Sequence, residues 1–138
     1  IFSCARGLRA MRETMLKEAV ELRLPAQRSM MLVIRLTTAG VIARAGLGVD
    51  RMDDVQMAVE EACSCLMGGS AGLLCLTFRG AGEKLLIQAR CEGGAARPAA
   101  ADEMAVVQCI LEALVDDVEL EMQDGAVRGV QLCIALEA

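Results

Sequence analysis

The sequence predicts a two-layer α+β sandwich: a mixed or antiparallel sheet of about five strands, with the helices gathered on one face. Three observations predict it. Short runs at 19–24, 118–122 and 127–136 alternate apolar and polar residues, the period of a half-buried strand. Stretches at 27–45, 50–67 and 102–114 have the length and apolar content of helices. The strands of the middle and the end come in pairs across turn residues, which makes neighbours antiparallel.

Residues Ser3 to Lys17 carry scattered Arg and Lys and a weak stripe of Leu8, Met11 and Met15; a helix or a tail is expected over 1–17. Val20, Leu22 and Leu24 alternate with Glu21 and Arg23 as a strand that Pro25 ends. Gln27 to Ala45 is a helix broken in its apolar character only by Arg28, Arg35 and Arg44. Such a helix is covered on more than one side, by a neighbour within the domain or by a partner subunit. In Asp50 to Met67, the residues Met52, Val55, Val59, Ala62 and Leu66 form one stripe. Asp50 is placed to cap that helix, Asp53 and Asp54 to complement its dipole, and Gly68-Gly69-Ser70 to stop it. Glu60, Glu61 and Ser64 lie off the stripe, and Glu61 and Cys65, four apart, are neighbours on one flank.

Leu73–Arg79 and Lys84–Arg90 read as a hairpin around Gly80-Ala81-Gly82-Glu83. Cys91 to Ala101 is a loop of small residues. Asp102 is placed to cap a helix to about Leu114, with Met104, Val107, Ile110, Leu111 and Leu114 inward. Val118–Met122 and Val127–Leu136 form a last hairpin across Asp124-Gly125, with Glu119 and Glu121 on the wet face.

With 138 residues, the chain suits a single domain over 18–138. Only Phe2 and Phe78 are aromatic, so stacking platforms for single-stranded nucleic acid are excluded, and a net charge of −5 argues against nucleic acid in general. The uncharged run from Ala62 to Phe78 is interrupted by glycines and reads as helix end, turn and buried strand rather than a membrane span. Seven cysteines, an odd number with no secretory segment before them, point to a reduced cytoplasmic protein. The chain opens on Ile1 rather than Met, which leaves a preceding segment open.

Cysteine metal chemistry finds little support. Cys63 and Cys65 point about 200° apart on a helix, and the chain has no His. Cys63, Cys75, Cys109 and Cys133 sit on apolar patterns and are expected in the core; Cys65 and Cys91 are the candidates for exposure.

The run LRLPA at 22–26, followed by VIRLTTAGVIARAGLGVDRMDDVQMAVEEAC at 33–63, resembles the N-terminal half of the anti-sigma factor serine kinases. These belong to the GHKL superfamily with the histidine-kinase-like ATPase domains. ILEALVDDVELEMQDGAVRGVQLCI at 110–134 is similar to the family's last helix and final hairpin. The resemblance implies the histidine-kinase-like ATPase fold, Mg-ATP as cofactor, and a sigma factor or an anti-anti-sigma (STAS-type) protein as partner, held by a homodimer. It also implies site residues. Glu61 matches the family's general base, but Cys65 stands where an Asn holds Mg²⁺, and a neutral thiol is a poor ligand for a hard cation. Cys91 stands where an Asp reads adenine, in Cys91-Glu92-Gly93-Gly94-Ala95, of which Gly93 is kept. Ala99-Ala100-Ala101-Asp102-Glu103 replaces the glycine-rich lid and brings carboxylates to the place of phosphate. The expectation is a degenerate, non-catalytic member that acts by binding protein, with no cofactor and no metal. The alternatives are an active ATP-dependent serine/threonine kinase and a purely structural dimerisation module.

Overall fold

A computed structural model of the chain describes residues 18–67, 72–94 and 100–136. Five strands form one sheet in the order β1-β2-β3-β5-β4: β1 (Val20–Pro25), β2 (Leu73–Ala81), β3 (Lys84–Glu92), β4 (Asp117–Gln123) and β5 (Ala126–Ala135). Every neighbouring pair is antiparallel, which settles the mixed-or-antiparallel alternative. Three helices pack with it: α1 (Met31–Ala45), α2 (Val49–Leu66) and α3 (Ala101–Leu114).

Alternation decides the inner face. Leu74, Leu76 and Phe78 of β2, Leu85, Ile87 and Ala89 of β3, and Val130, Leu132 and Ile134 of β5 are buried in one core. The intervening positions carry polar groups. Ion pairs Arg23–Glu92 at 2.8 Å and Arg90–Glu121 at 3.0 Å link residues across strands. Both hairpins turn in two residues, since Ala81 pairs with Lys84 and Gln123 with Ala126. The first is tighter than the four-residue turn read from sequence, because Gly82, at φ 64, alone supplies the left-handed step. In the second, Asp124 and Gly125 both have positive φ, as a type I′ turn requires.

Helix α2 is the central one. Val55, Ala58, Val59, Ala62, Cys63 and Leu66 are buried, and Met52 packs beside them, so the predicted stripe faces the core. Its start differs from the expectation. Gly48 is the N-cap, with no side-chain acceptor, and Asp50 lies in the first turn. Likewise Ala100, not Asp102, precedes α3, and Asp102 and Glu103 occupy its first turn. In both helices the cap lies two residues earlier than expected, and the carboxylates complement the dipole rather than cap.

The helix expected from 27 or 28 onward opens as a 3₁₀ turn, Arg28–Met30, before α1. Ile34, Thr38, Val41, Ile42 and Ala45 are buried, and Thr38 Oγ1 donates to the Ile34 carbonyl at 2.7 Å. The opposite side is apolar yet open, with Leu32 62%, Val33 43% and Leu36 66% exposed. Helix α3 is shallower than predicted. Only Leu111 is buried; Met104, Val107 and Leu114 are half-buried, and Ile110 is exposed. The expected segment over 1–17, the stop at Gly68-Gly69-Ser70 and much of the loop before α3 lie outside the described residues.

Candidate functional site

The C-terminal half of α2 forms the floor of two adjoining grooves. One, of about 450 Å³, lies toward α1 and is lined by Arg28, Met31, Arg35, Met57, Glu60, Glu61 and Ser64. The other, of about 480 Å³, lies toward α3 and is lined by Arg28, Glu61, Ser64, Cys65, Asp102, Glu103, Val106 and Val107. Arg28, Glu61 and Ser64 belong to both. Helical spacing explains the floor: 61, 64 and 65 rise together on the face turned from the core.

Arg28 was not among the site residues expected from sequence. The 3₁₀ turn after β1 aims its guanidinium over α2, where it donates to Ser64 Oγ at 3.1 Å. Its one legible sign was a lone cation at the start of an apolar helix. Arg35 forms an ion pair with Glu60, and Gln56 Nε2 donates to the Arg35 carbonyl at 2.9 Å, tying α1 to α2. These contacts engage Glu60, while Glu61, one residue on, faces both grooves.

The groove toward α3 thus brings Glu61 and Cys65 together, as their spacing implied, and adds Asp102 and Glu103 from across the chain. Cys91 and Gly93 do not line it. Cys91, next to last in β3, packs at the edge of the core, and Gly93 lies just beyond the strand, with φ 68. Arg128 Nη1 donates to the Gly93 carbonyl. Among the described residues no group of three or more Cys, Asp or Glu is placed to hold a metal.

The other cysteines divide by depth. Cys63 is buried, and burial, with Glu60 nearby, pushes its thiol up to about 12. Cys75 and Cys133, expected in the core, are half-exposed instead, and Cys109 is exposed on α3. The apolar neighbours that suggested burial lie on the other face of each element. Burial and then Glu92 raise the Cys75 thiol, against a smaller opposing effect of Arg23. Among the described residues, no helix is long and apolar enough to cross a membrane.

No protein-family model matches the chain. The serine-protein kinase RsbW of Bacillus mycoides is 43% identical over 47 residues, which is 34% of this chain and 29% of that protein. Its counterpart in Bacillus cereus is 40% identical over the same length. The chain therefore spans under a third of the length of these curated relatives. The crystal structure of the RsbU and RsbW domains of Rv1364c from Mycobacterium tuberculosis superposes on 86% of the chain, with a TM-score of 0.68 at 15% identity, using 32% of that structure's length. That likeness establishes the fold. Over about a third of its length the chain is thus similar in sequence to the serine-protein kinase RsbW, and it shares the fold of a structure that contains an RsbW domain.

Proposed function

We propose that the domain is a regulator that acts by binding other proteins and does not use its groove for Mg-ATP. The observation that carries this reading is the donor set around Glu61. Cys65 stands beside it, and Asp102 and Glu103 face the same groove, with Arg28 as the one cation among the described residues of the lining. A bound triphosphate would meet three carboxylates. Like charges in partly desolvated surroundings oppose binding unless a divalent cation screens them, and a thiol is a weak ligand for Mg²⁺. On this reading the described residues of the groove disfavour the nucleotide and its metal, and Glu61 has no proton to take.

The partners follow from the family: a sigma factor or a STAS-type anti-anti-sigma protein, with the domain itself a homodimer in the cytoplasm. The exposed stripe of Leu32, Val33 and Leu36 on α1 supports self-association, since contiguous apolar surface of this kind marks interfaces. An active serine kinase is the competing reading, supported by the names of the relatives and by Glu61. The two separate in one experiment. The chain is mixed with a STAS-type protein and Mg-ATP, and the mixture is read by size exclusion and by intact mass. The proposal expects a complex and no added phosphate. A phosphorylated STAS protein, abolished by Glu61→Gln, would establish the kinase.

A further inference from the structure

We propose that α1 pairs antiparallel with α1 of a second copy, Leu36 of each seated on Gly40 of the other, an inference that rests on the self-association proposed above. Gly40 lies well inside α1. A glycine there weakens a helix relative to alanine, because its backbone has more freedom to lose. Its φ is not positive, so the left-handed region does not require it. A Cβ at Gly40 would meet nothing within 4 Å among the described residues, so crowding within them does not require it either. What a bare backbone at an open position permits is the close approach of another surface.

The residues around Gly40 make that surface complementary to itself. At about 100° per residue, Leu32, Leu36, Gly40 and Ala43 share one stripe about 80° wide. All four are exposed, and the stripe lies opposite the buried Ile34, Thr38, Val41 and Ile42. Its two leucines come first and its two smallest residues last. A second α1 laid parallel would set leucine on leucine and gap on gap. Laid antiparallel about a two-fold axis level with Thr38, it sets Leu36 on Gly40 and Leu32 beside Ala43, in both directions at once. Reciprocity of this kind is what a two-fold contact demands: residue i meets j, and j meets i. The missing Cβ lets the axes approach to the short end of the usual range of about 8–10 Å.

Charge does not oppose the pairing. The stripe is uncharged, and Arg35 at one flank is held in an ion pair with Glu60. Arg44 at the other flank lies level with Val33 of the second copy, where its aliphatic stem covers the valine and its head stays in water. Antiparallel order also sets the positive end of each helix dipole beside the negative end of the other. One helix face from each copy is a smaller contact than an obligate interface, so the pair should separate on dilution.

Sedimentation of the full chain over a dilution series, with melting at the dilute end, tests the register. Gly40→Leu fills the notch and should weaken the dimer by about tenfold or more. The same variant should raise the melting midpoint of the monomer, since leucine favours a helix and its Cβ meets nothing there. Leu36→Ala should weaken the dimer as well. Gly40→Leu/Leu36→Ala exchanges knob and notch in both contacts and should recover most of the affinity. A dimer of unchanged affinity in Gly40→Leu would overturn the proposal and leave self-association to another surface. A midpoint lowered by Gly40→Leu would place the notch inside the fold and overturn it too. So would a double variant as weak as the weaker single one. The unaltered chain staying monomeric at every concentration would overturn the register and the self-association together.

Discussion

Gly72 and Gly129 show how single atoms set what the sheet tolerates. A Cβ on Gly72 would lie 2.9 Å from the Glu92 carbonyl oxygen and 3.0 Å from that of Gly93, both backbone atoms held by the hairpin. A Cβ on Gly129 would lie 2.9 Å from Glu121 Oε2, the end of a flexible side chain. Glu121 crosses the bare backbone of Gly129 on β5 to reach Arg90 on β3. Gly72→Ala is therefore expected to destabilise by about 1–3 kcal/mol, as overpacking does. Gly129→Ala displaces an exposed ion pair and should cost under about 1 kcal/mol. Denaturant midpoints of the two variants test the order; equal losses would contradict it.

Asp116 provides the pH dependence at the same scale. It accepts from the Ala135 amide at 2.7 Å and pairs with Arg51 at 2.7 Å, joining the start of α2 to the end of β5. The Ala135 hydrogen bond, then Arg51, hold its carboxyl below the usual carboxylate range, against some desolvation. A folded-state pKa below the unfolded one means stability present above the unfolded value and lost as pH falls through the folded value. Stability should fall at acid pH, below about 4, and Asp116→Asn should flatten that limb of the curve while leaving its neutral part nearly level. A variant curve parallel to the original at all pH values would assign the acid loss elsewhere. The Cys63 thiol, pushed up to about 12, should resist alkylation at pH 8 while exposed Cys109 reacts at once.

At the scale of the element, the sequence announced strands and helices well and helix depth poorly. Period-two alternation is decisive where one sheet face is covered: three of the five strands follow from it, and the other two from the hairpin signal between them. Helix starts were misjudged at Asp50 and Asp102 because an acidic residue before an apolar period reads equally as a cap or as first-turn charge. Helix α3 misled most: Ile110 and Cys109 fit an inward pattern, yet the helix lies over α2 and the edge strand β4, and only Leu111 is fully enclosed. Leu111→Ala should therefore cost about 2–5 kcal/mol, and Ile110→Ala within about 0.5 kcal/mol. Thermal or chemical unfolding checks both; a large loss at Ile110 would mean that α3 is covered there. Helix α1 supplies the matching test of self-association. Ile34 is fully buried, so its replacement reports unfolding rather than contact. Leu36→Asp on the open stripe should lower the light-scattering mass from dimer to monomer without lowering the melting temperature.

For the molecule as a whole, the site was half legible. Glu61 and Cys65 meet because they are one turn apart, which sequence alone dictates. Arg28, Asp102 and Glu103 come to the same groove through the folding of β1 and α3 around α2, separations of more than thirty residues that no spacing rule reaches. Cys91, given a place in the pocket only by resemblance, lies near the end of β3 and packs beside the core. The proposed consequence is a groove whose described lining, three carboxylates against Arg28, disfavours a polyphosphate, on a fold shared with a structure that contains an RsbW domain.

Melting of the full chain with and without Mg-ATP tests that consequence most directly. A ligand bound only by the folded state adds about 2.7 kcal/mol at a hundred times its dissociation constant, enough to raise the midpoint of a domain of this size by several degrees. The account predicts no rise at millimolar Mg-ATP, and none with ATP and EDTA. A rise of several degrees that requires Mg²⁺ and disappears in Cys65→Ala would contradict it.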